Sequence, residues 1–208
     1  MTSPRIAPSA DVHPNAEISD GAQVWHHVQV REKAKVGART ILGRGVYVDT
    51  EVVIGADCKL QNYACTYHGV TLEDGVFVGP HACFTNDLYP RAINADGSIK
   101  SANDWDIAKT LVRYGAAIGA NATVRCGVTV GRWALVAAGS VVTRDVPDYG
   151  LVRGNPARLV DFVSPHGHKM IPIQEPAPGE STVKMRCSET SELFEVTRDA
   201  FDQWRQKQ

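Results

Sequence analysis

The sequence predicts an all-β protein: a parallel β-helix of six to seven coils, with one long loop insertion and a small C-terminal cap. Three observations carry this. A bulky apolar residue recurs at every sixth position from residue 6 to residue 84. The recurrence stops once, at Pro90, and resumes at Val112. After Val142 it ends, and composition shifts to Pro, His and Gly.

The first stretch reads Ile6, Val12, Ile18, Val24, Val30, Val36, Leu42, Val48, Ile54, Leu60, Thr66, Leu72, Val78 and Phe84, with Thr66 the one polar rung. The second reads Val112, Ile118, Val124, Val130, Val136 and Val142. Four residues after most rungs stands a smaller residue, such as Ala10, Ala34, Ala64 or Ala122. A helix repeats its apolar face every 3.6 residues and a half-buried strand every 2, so neither generates this spacing. Short strands turning a corner at fixed intervals do, and internal hexapeptide repeats mark a parallel β-helix. Three hexapeptides close one triangular coil, so residues 18 apart stack. A β-sandwich of irregular strands would not hold one register from residue 6 to 89.

Residues 90–111 form the insertion, polar apart from Trp105 and a few aliphatics. A loop of this length inside a compact repeat is usually functional or disordered. The repeat domain spans 1–160. Residues 161–208 read as a connector, a short hairpin over Val183 to Val196, and a helix that Thr197 caps.

Composition narrows the class. With 208 residues, 43% hydrophobic and 22% charged, the chain is an ordinary soluble globular protein. A formal charge of −1 argues against a nucleic-acid surface. The five cysteines are odd in number and include no C-x-x-C pair, so no disulfide framework is expected. No apolar signal segment opens the chain, and no window approaches a membrane span. A cytoplasmic location follows as the expectation, with no membrane and no nucleic acid among the partners.

The chemistry is expected where the ladder breaks, at Phe84-Thr85-Asn86-Asp87-Leu88-Tyr89-Pro90. Stacking by 18 puts Asn86 over His68 and His68 over Thr50. It puts Asp87 over Gly69, and His81 over Tyr63 one face behind. An amide, a carboxylate and an imidazole on one wall suit the orientation of an amine, acceptance of its proton and donation to an oxyanion. A lone exposed histidine on a solenoid is ordinary; the stacking singles out His68.

The runs Gln61-Asn62-Tyr63, Gly69-Val70-Thr71-Leu72-Glu73-Asp74-Gly75 and Phe84-Thr85-Asn86-Asp87-Leu88-Tyr89-Pro90-Arg91 resemble the nucleotide-sugar N-acetyltransferases of the hexapeptide-repeat acyltransferases. Gly119-Ala120-Asn121-Ala122-Thr123, Gly139-Ser140-Val141-Val142-Thr143-Arg144-Asp145-Val146-Pro147 and Gly154-Asn155-Pro156-Ala157-Arg158 extend the likeness over about residues 10–160. Those later motifs are shared across the superfamily, whereas the Thr-Asn-Asp-x-Tyr-Pro-Arg run is more specific.

The resemblance implies a left-handed helix and a homotrimer with active sites between neighbouring helices. It implies acetyl-CoA as cosubstrate and, as acceptor, the 3-amino group of a UDP- or dTDP-linked sugar for bacterial surface polysaccharide. Asn86 and Asp87 match catalytic positions, and His68 joins them through stacking. Thr85, Tyr89, Arg91 and His81 are the expected substrate-binding residues. Gly119, Ala137, Arg144, Asn155 and Arg158 are expected along the CoA path. At His68 relatives commonly carry an acidic residue.

Some relatives carry a four-cysteine zinc knuckle near the C-terminus. Here only Ser164, His166, His168 and Cys187 offer themselves. A structural zinc site needs four well-spaced ligands, so a metal-free cap is expected. Other readings of the scaffold are O-acyl transfer or another acyl donor, a γ-type zinc carbonic anhydrase, and a non-catalytic scaffold. The carbonic anhydrase reading meets a shortage of histidines, because none lies between Val112 and Arg153.

Overall fold

The computed structural model describes residues 2–101 and 104–206. Each hexapeptide contributes one two- or three-residue strand. Arg5–Ile6, Asp11–Val12 and Glu17–Ile18 make the first coil. Each pairs in parallel with the strand 18 residues on, Arg5 with Gln23, Asp11 with Gln29 and Glu17 with Lys35. Three faces result. The first holds nine strands, the last of them antiparallel, the second seven and the third six.

The chain makes seven circuits and opens an eighth with the strand Gly150–Gly154, one more than the ladder count. The last circuit is two residues short. Val136 pairs with Val152 and Val130 bridges Val146, each 16 residues on. The shortened spacing removes that circuit from the six-residue ladder.

Buried rungs form one continuous core along the axis. Thr66 keeps its interior place because its hydroxyl donates to the Tyr47 carbonyl at 3.0 Å. Buried Thr40 answers the same need, donating to the Gly55 carbonyl at 2.7 Å and accepting from the Cys58 amide at 3.0 Å. Buried polar groups are costly unless bonded, so each of these threonines brings its own partner. Corner residues such as Lys33, Arg39, Glu51 and Asp57 adopt left-handed backbone, with φ of 58–59°. Their amides donate to the preceding coil, as Lys33 does to the Asn15 carbonyl, so the turns leave these groups satisfied.

The insertion is shorter than its sequence suggests. Thr110–Val112 is already a strand paired with Val70–Leu72, and Thr110 is buried. The loop closes at its base. Asp87 bridges Ile107, the Leu88 amide donates to the Asp106 carbonyl, and the Ala108 amide donates to the Asn86 carbonyl. A second bridge, Ile93 to Ile99, folds the tip back on itself.

The cap starts as a hairpin of Gly150–Gly154 with Ala157–Phe162, so one strand runs across residue 160. Residues 161–182 hold more than a connector. Met170–Pro172 joins Thr182–Cys187 and Leu193–Thr197 in a three-stranded antiparallel sheet. The helix Arg198–Arg205 follows, and the Thr197 hydroxyl accepts from the Ala200 amide. Its buried Trp204 packs between Phe162 and Phe201, and the Trp204 indole donates to the Val160 carbonyl at 3.1 Å. Burying two such aromatics is worth about 1.5–3 kcal/mol each, enough to hold a short helix on the end of the core. No helix among the described residues is long and apolar enough to cross a membrane. All five cysteines are free.

Candidate functional site

The register defines one corner column. On the second face Val48, Thr66, Phe84, Val124 and Val142 succeed one another. Two residues after each stand Thr50, His68, Asn86, Cys126 and Arg144, at the corner between the second and third faces. Coils are spaced about 4.8 Å apart, so the backbones of Asn86 and Arg144 lie roughly 10 Å apart along the axis.

His68 is fixed at this corner by two bonds. Its Nδ1 lies 2.9 Å from the Thr50 carbonyl. A carbonyl only accepts, so Nδ1 carries the proton and the free lone pair sits on Nε2. The His68 amide donates to Asp49 Oδ2 at 3.1 Å. Asp49 is 9% exposed, and its Oδ1 accepts from the Thr50 amide at 2.8 Å and the Tyr47 hydroxyl at 3.0 Å. Burial, then the Asp49 carboxylate, push the Tyr47 phenol up, so it stays a donor. One carboxylate thus ties two successive corners and sets the distance between the Thr50 carbonyl and the His68 ring.

Asn86, one coil further on, lines a cavity of about 380 Å³ with Asp87, Pro90, Arg91, Ala92 and Trp105. The loop therefore supplies the outer wall of the column's opening. Asp87 does not stack on Gly69 as its spacing suggested. The loop leaves at that residue, so the place beside Gly69 goes to Ile107 and Thr110, whose amide donates to the Gly69 carbonyl. Asp87 instead accepts from the Tyr89 amide at 2.9 Å, which holds the first turn of the loop. Tyr89 itself points away, 69% exposed. The Arg91 guanidinium bonds the Pro90 carbonyl at 2.8 Å at the cavity's rim. Thr85 accepts from the Cys126 amide at 3.0 Å, so its hydroxyl oxygen clamps the next coil.

His81 belongs to the opposite corner, between the first and second faces. It stacks on Tyr63 with ring centroids 5.2 Å apart, as the 18-residue spacing predicts. Gly119 and Ala137 share that corner, whereas Arg144 stays above Asn86. Gly119 is demanded by packing, because a Cβ there would stand 2.5 Å from the Ala138 amide nitrogen. Asn155, in a cis peptide with Pro156, and Arg158 lie exposed in and beside the turn of the terminal hairpin. Within one chain the structure gathers Asn86, Asp87 and Arg91 around the loop cavity and sets His68 one coil below Asn86, but leaves His81, Gly119 and Ala137 across the second face. Asp49 escaped sequence reasoning; its only signal is a carboxylate directly before a stacked column. In the cap, Cys187 bonds Ser164 at 3.3 Å and His166 bonds Glu192 at 2.7 Å.

Residues 115–144 match the hexapeptide repeat of succinyl-transferase, and the ladder carries the same six-residue spacing along the rest of the solenoid. A stretch of 55 residues is 54% identical to the dTDP-3-amino-3,6-dideoxy-alpha-D-galactopyranose 3-N-acetyltransferase of Aneurinibacillus thermoaerophilus, covering 26% of this chain and 29% of that protein. Serine acetyltransferase 2 of Arabidopsis thaliana is 28% identical over 174 residues, 84% of this chain and 41% of that protein. The chain thus spans less than half the length of these curated relatives. The fold matches that of AntD, an N-acyltransferase from Bacillus cereus, at a TM-score of 0.54 and 16% identity, over 76% of this chain and 79% of that one.

Proposed function

We propose that the protein is an acetyl-CoA-dependent N-acetyltransferase that acts on the amino group of a UDP- or dTDP-linked amino sugar for surface polysaccharide. The observation that carries this is the 2.9 Å approach of His68 Nδ1 to the Thr50 carbonyl, which leaves Nε2 as the available base one coil from Asn86, a lining residue of the loop cavity. The 54% identical stretch supports the amino-sugar acceptor.

The sugar amine attacks the thioester carbonyl in its neutral form. Nε2 of His68 takes the amine proton as the C–N bond forms. The Asn86 carboxamide orients the amine and donates to the developing oxyanion. When the tetrahedral centre collapses, the C–S bond breaks, CoA leaves as thiolate, and the thiolate accepts the proton from His68. Every atom is accounted for without a metal.

The protein acts as a homotrimer in the cytoplasm, where acetyl-CoA and nucleotide sugars are made. The second face turns towards the neighbouring copies. Its outward residues from the third coil on are Tyr47, Cys65, Cys83, Thr123 and Val141, none of them charged. Its two flanking corners then meet between copies, which joins His68 and Asn86 of one chain to Gly119 and Ala137 of the next. CoA runs along this groove towards Arg144, Asn155 and Arg158.

O-acetyl transfer is the second reading, favoured by the long match to serine acetyltransferase, and the same imidazole would serve a hydroxyl. A thiol-release assay decides. Acetyl-CoA is offered with dTDP- and UDP-linked 3-amino sugars, with their 3-hydroxy counterparts, and with serine. Release with the amino sugars alone is expected; release with serine or the hydroxy sugars alone would replace this reading.

A further inference from the structure

One corner of the solenoid departs from the hydrogen bonding of its neighbours. A corner amide ordinarily donates to a carbonyl of the coil below: Glu51 to Glu32 at 3.1 Å, Asp57 to Ala38 at 2.9 Å, and Tyr63 to Arg44 at 2.9 Å. By that spacing the Gly69 amide would take the Thr50 carbonyl. Among the described residues it makes no such bond, and the His68 ring has the acceptor instead, with Nδ1 2.9 Å away. The backbone differs at the same residue. Glu51, Asp57, Tyr63 and His81 hold φ at 58–60°, whereas Gly69 opens to 90°. Glycine tolerates that opening because it has no Cβ. The backbone donor is thereby withdrawn and one acceptor is left for the imidazole.

The Thr50 carbonyl is aimed from two further sides. It shares a peptide with the Glu51 amide, which donates down to Glu32, and the two ends of a trans peptide point opposite ways, so the carbonyl points up the axis. Asp49 then fixes the spacing of the two corners. The Thr50 amide donates to its Oδ1 at 2.8 Å and the His68 amide to its Oδ2 at 3.1 Å. Both carboxylate oxygens are needed for this. An amide side chain of the same shape has a single acceptor oxygen and would turn a donor on one of the two corners. The arrangement matters because an imidazole with no fixed partner shares its proton between two nitrogens and turns about its side-chain bonds. A base serves only while its free nitrogen is in the right form and direction.

We infer that Asp49 and Gly69 are positioning residues for His68. Asp49 holds the two corners in register, Gly69 withholds the backbone donor, and together they commit the Thr50 carbonyl to Nδ1 and keep Nε2 free. Neither residue touches substrate; both act through the ring. The inference rests on the proposed reaction for the use made of Nε2, while the placement of the ring proton is a property of the free protein.

The test uses the full chain carrying isotope-labelled histidine. Nitrogen NMR, with the ring neutral, reads which ring nitrogen of His68 holds the proton; the His68 signals are those lost in His68→Asn. Wild type is expected to hold it on Nδ1. Two variants disturb the arrangement from opposite sides. Asp49→Asn keeps the shape and removes one acceptor. Gly69→Asn places at the corner a residue that settles in left-handed backbone near 60°, which should return the amide to the Thr50 carbonyl, with Ile107 giving way to the new Cβ. Each should move proton population to Nε2. Each should lower kcat by about 10–100-fold, the scale of losing an outer partner, and leave KM for the acceptor unchanged. In the His68→Asn background neither should cost anything further, because both act through the ring. A pair with a purely structural role would lower the melting temperature, leave the proton on Nδ1 and cost the same in both backgrounds. That result overturns the inference. So does a wild-type proton on Nε2, a proton unmoved in whichever variant folds, or the failure of both variants to fold. The two readings fail separately. A proton that moves in the variants without acetyl transfer to any amino sugar sinks the reaction alone. Acetyl transfer with the proton on Nδ1 throughout sinks the positioning alone.

Discussion

His68 is set apart from the other histidines by a single acceptor. Its Nδ1 is committed to the Thr50 carbonyl, so only Nε2 is left to act as a base. A base must be neutral to accept a proton, so an imidazole that has gained one at Nε2 cannot serve. If Nε2 is the base, kcat/KM should fall on the acid side and give an acid limb. His68→Asn should remove that limb and lower the rate by about 10²–10⁴. A raised KM with the limb intact would make His68 a binder and leave the CoA thiolate to take the proton. Asn86→Ala should cost about a hundredfold in turnover, the scale of one oriented contact to a developing oxyanion, with melting temperature nearly unchanged. Near-wild-type activity would remove Asn86 from the chemistry. The spacing of 18 made the His68–Asn86 column readable from the sequence. It did not reveal the tautomer, which depends on where a backbone carbonyl of the coil below points. Nor did it reveal Asp49, because a carboxylate at a solenoid corner looks like a solvated turn until its three donors are seen.

At the scale of elements, the loop and the cap answer different questions. The loop's two ends are already joined by the Asp87–Ile107 bridge and the Ala108-to-Asn86 bond. Replacing residues 88–106 by two glycines should therefore leave the solenoid's circular dichroism and CoA affinity intact while abolishing selectivity among sugars. A protein that no longer folds would make the loop a structural support. The sequence placed the loop's start at Pro90, where the ladder's spacing ends, three residues after the chain leaves the coil at Asp87. It placed the end late, since Thr110 is polar and only its buried strand pairing identifies it as part of the coil. The cap behaves as a lid on the open end of the core. Trp204→Ala removes packing on Phe162 and the bond to Val160, and should destabilise the protein by about 3–5 kcal/mol. Turnover by the remaining folded fraction, measured well below the new melting temperature, should be unchanged. The helix and its Thr197 cap were legible from local signals. The three-stranded sheet was not, because Met170–Pro172 is too short to show alternation.

For the whole molecule, the arrangement of the two corners makes a demand that a single chain does not meet. His68 and Asn86 stand on one side of the second face, and His81, Gly119 and Ala137 on the other, so a ligand touching both sets must lie between copies. The proposed homotrimer would provide this through a closed ring of three heterologous contacts, in which each copy offers one corner to each neighbour. Light scattering should give three times the 22.6 kDa chain mass at micromolar concentration. A monomer under those conditions would end the shared-site scheme. Mixing two inactive variants tests the geometry itself. Asn86→Ala spoils one corner, and Ala137→Trp blocks the other with bulk in the expected CoA path. Each homotrimer should be inactive. When equal amounts are unfolded together and refolded, random assembly pairs an intact first corner with an intact second corner in about a quarter of the sites, and that share of wild-type activity should return. If both residues served the same site within one chain, every site in every mixed trimer would carry one lesion, and no activity would return. The measurement therefore separates a site built between copies from one built along a single chain, whatever sugar the groove accepts.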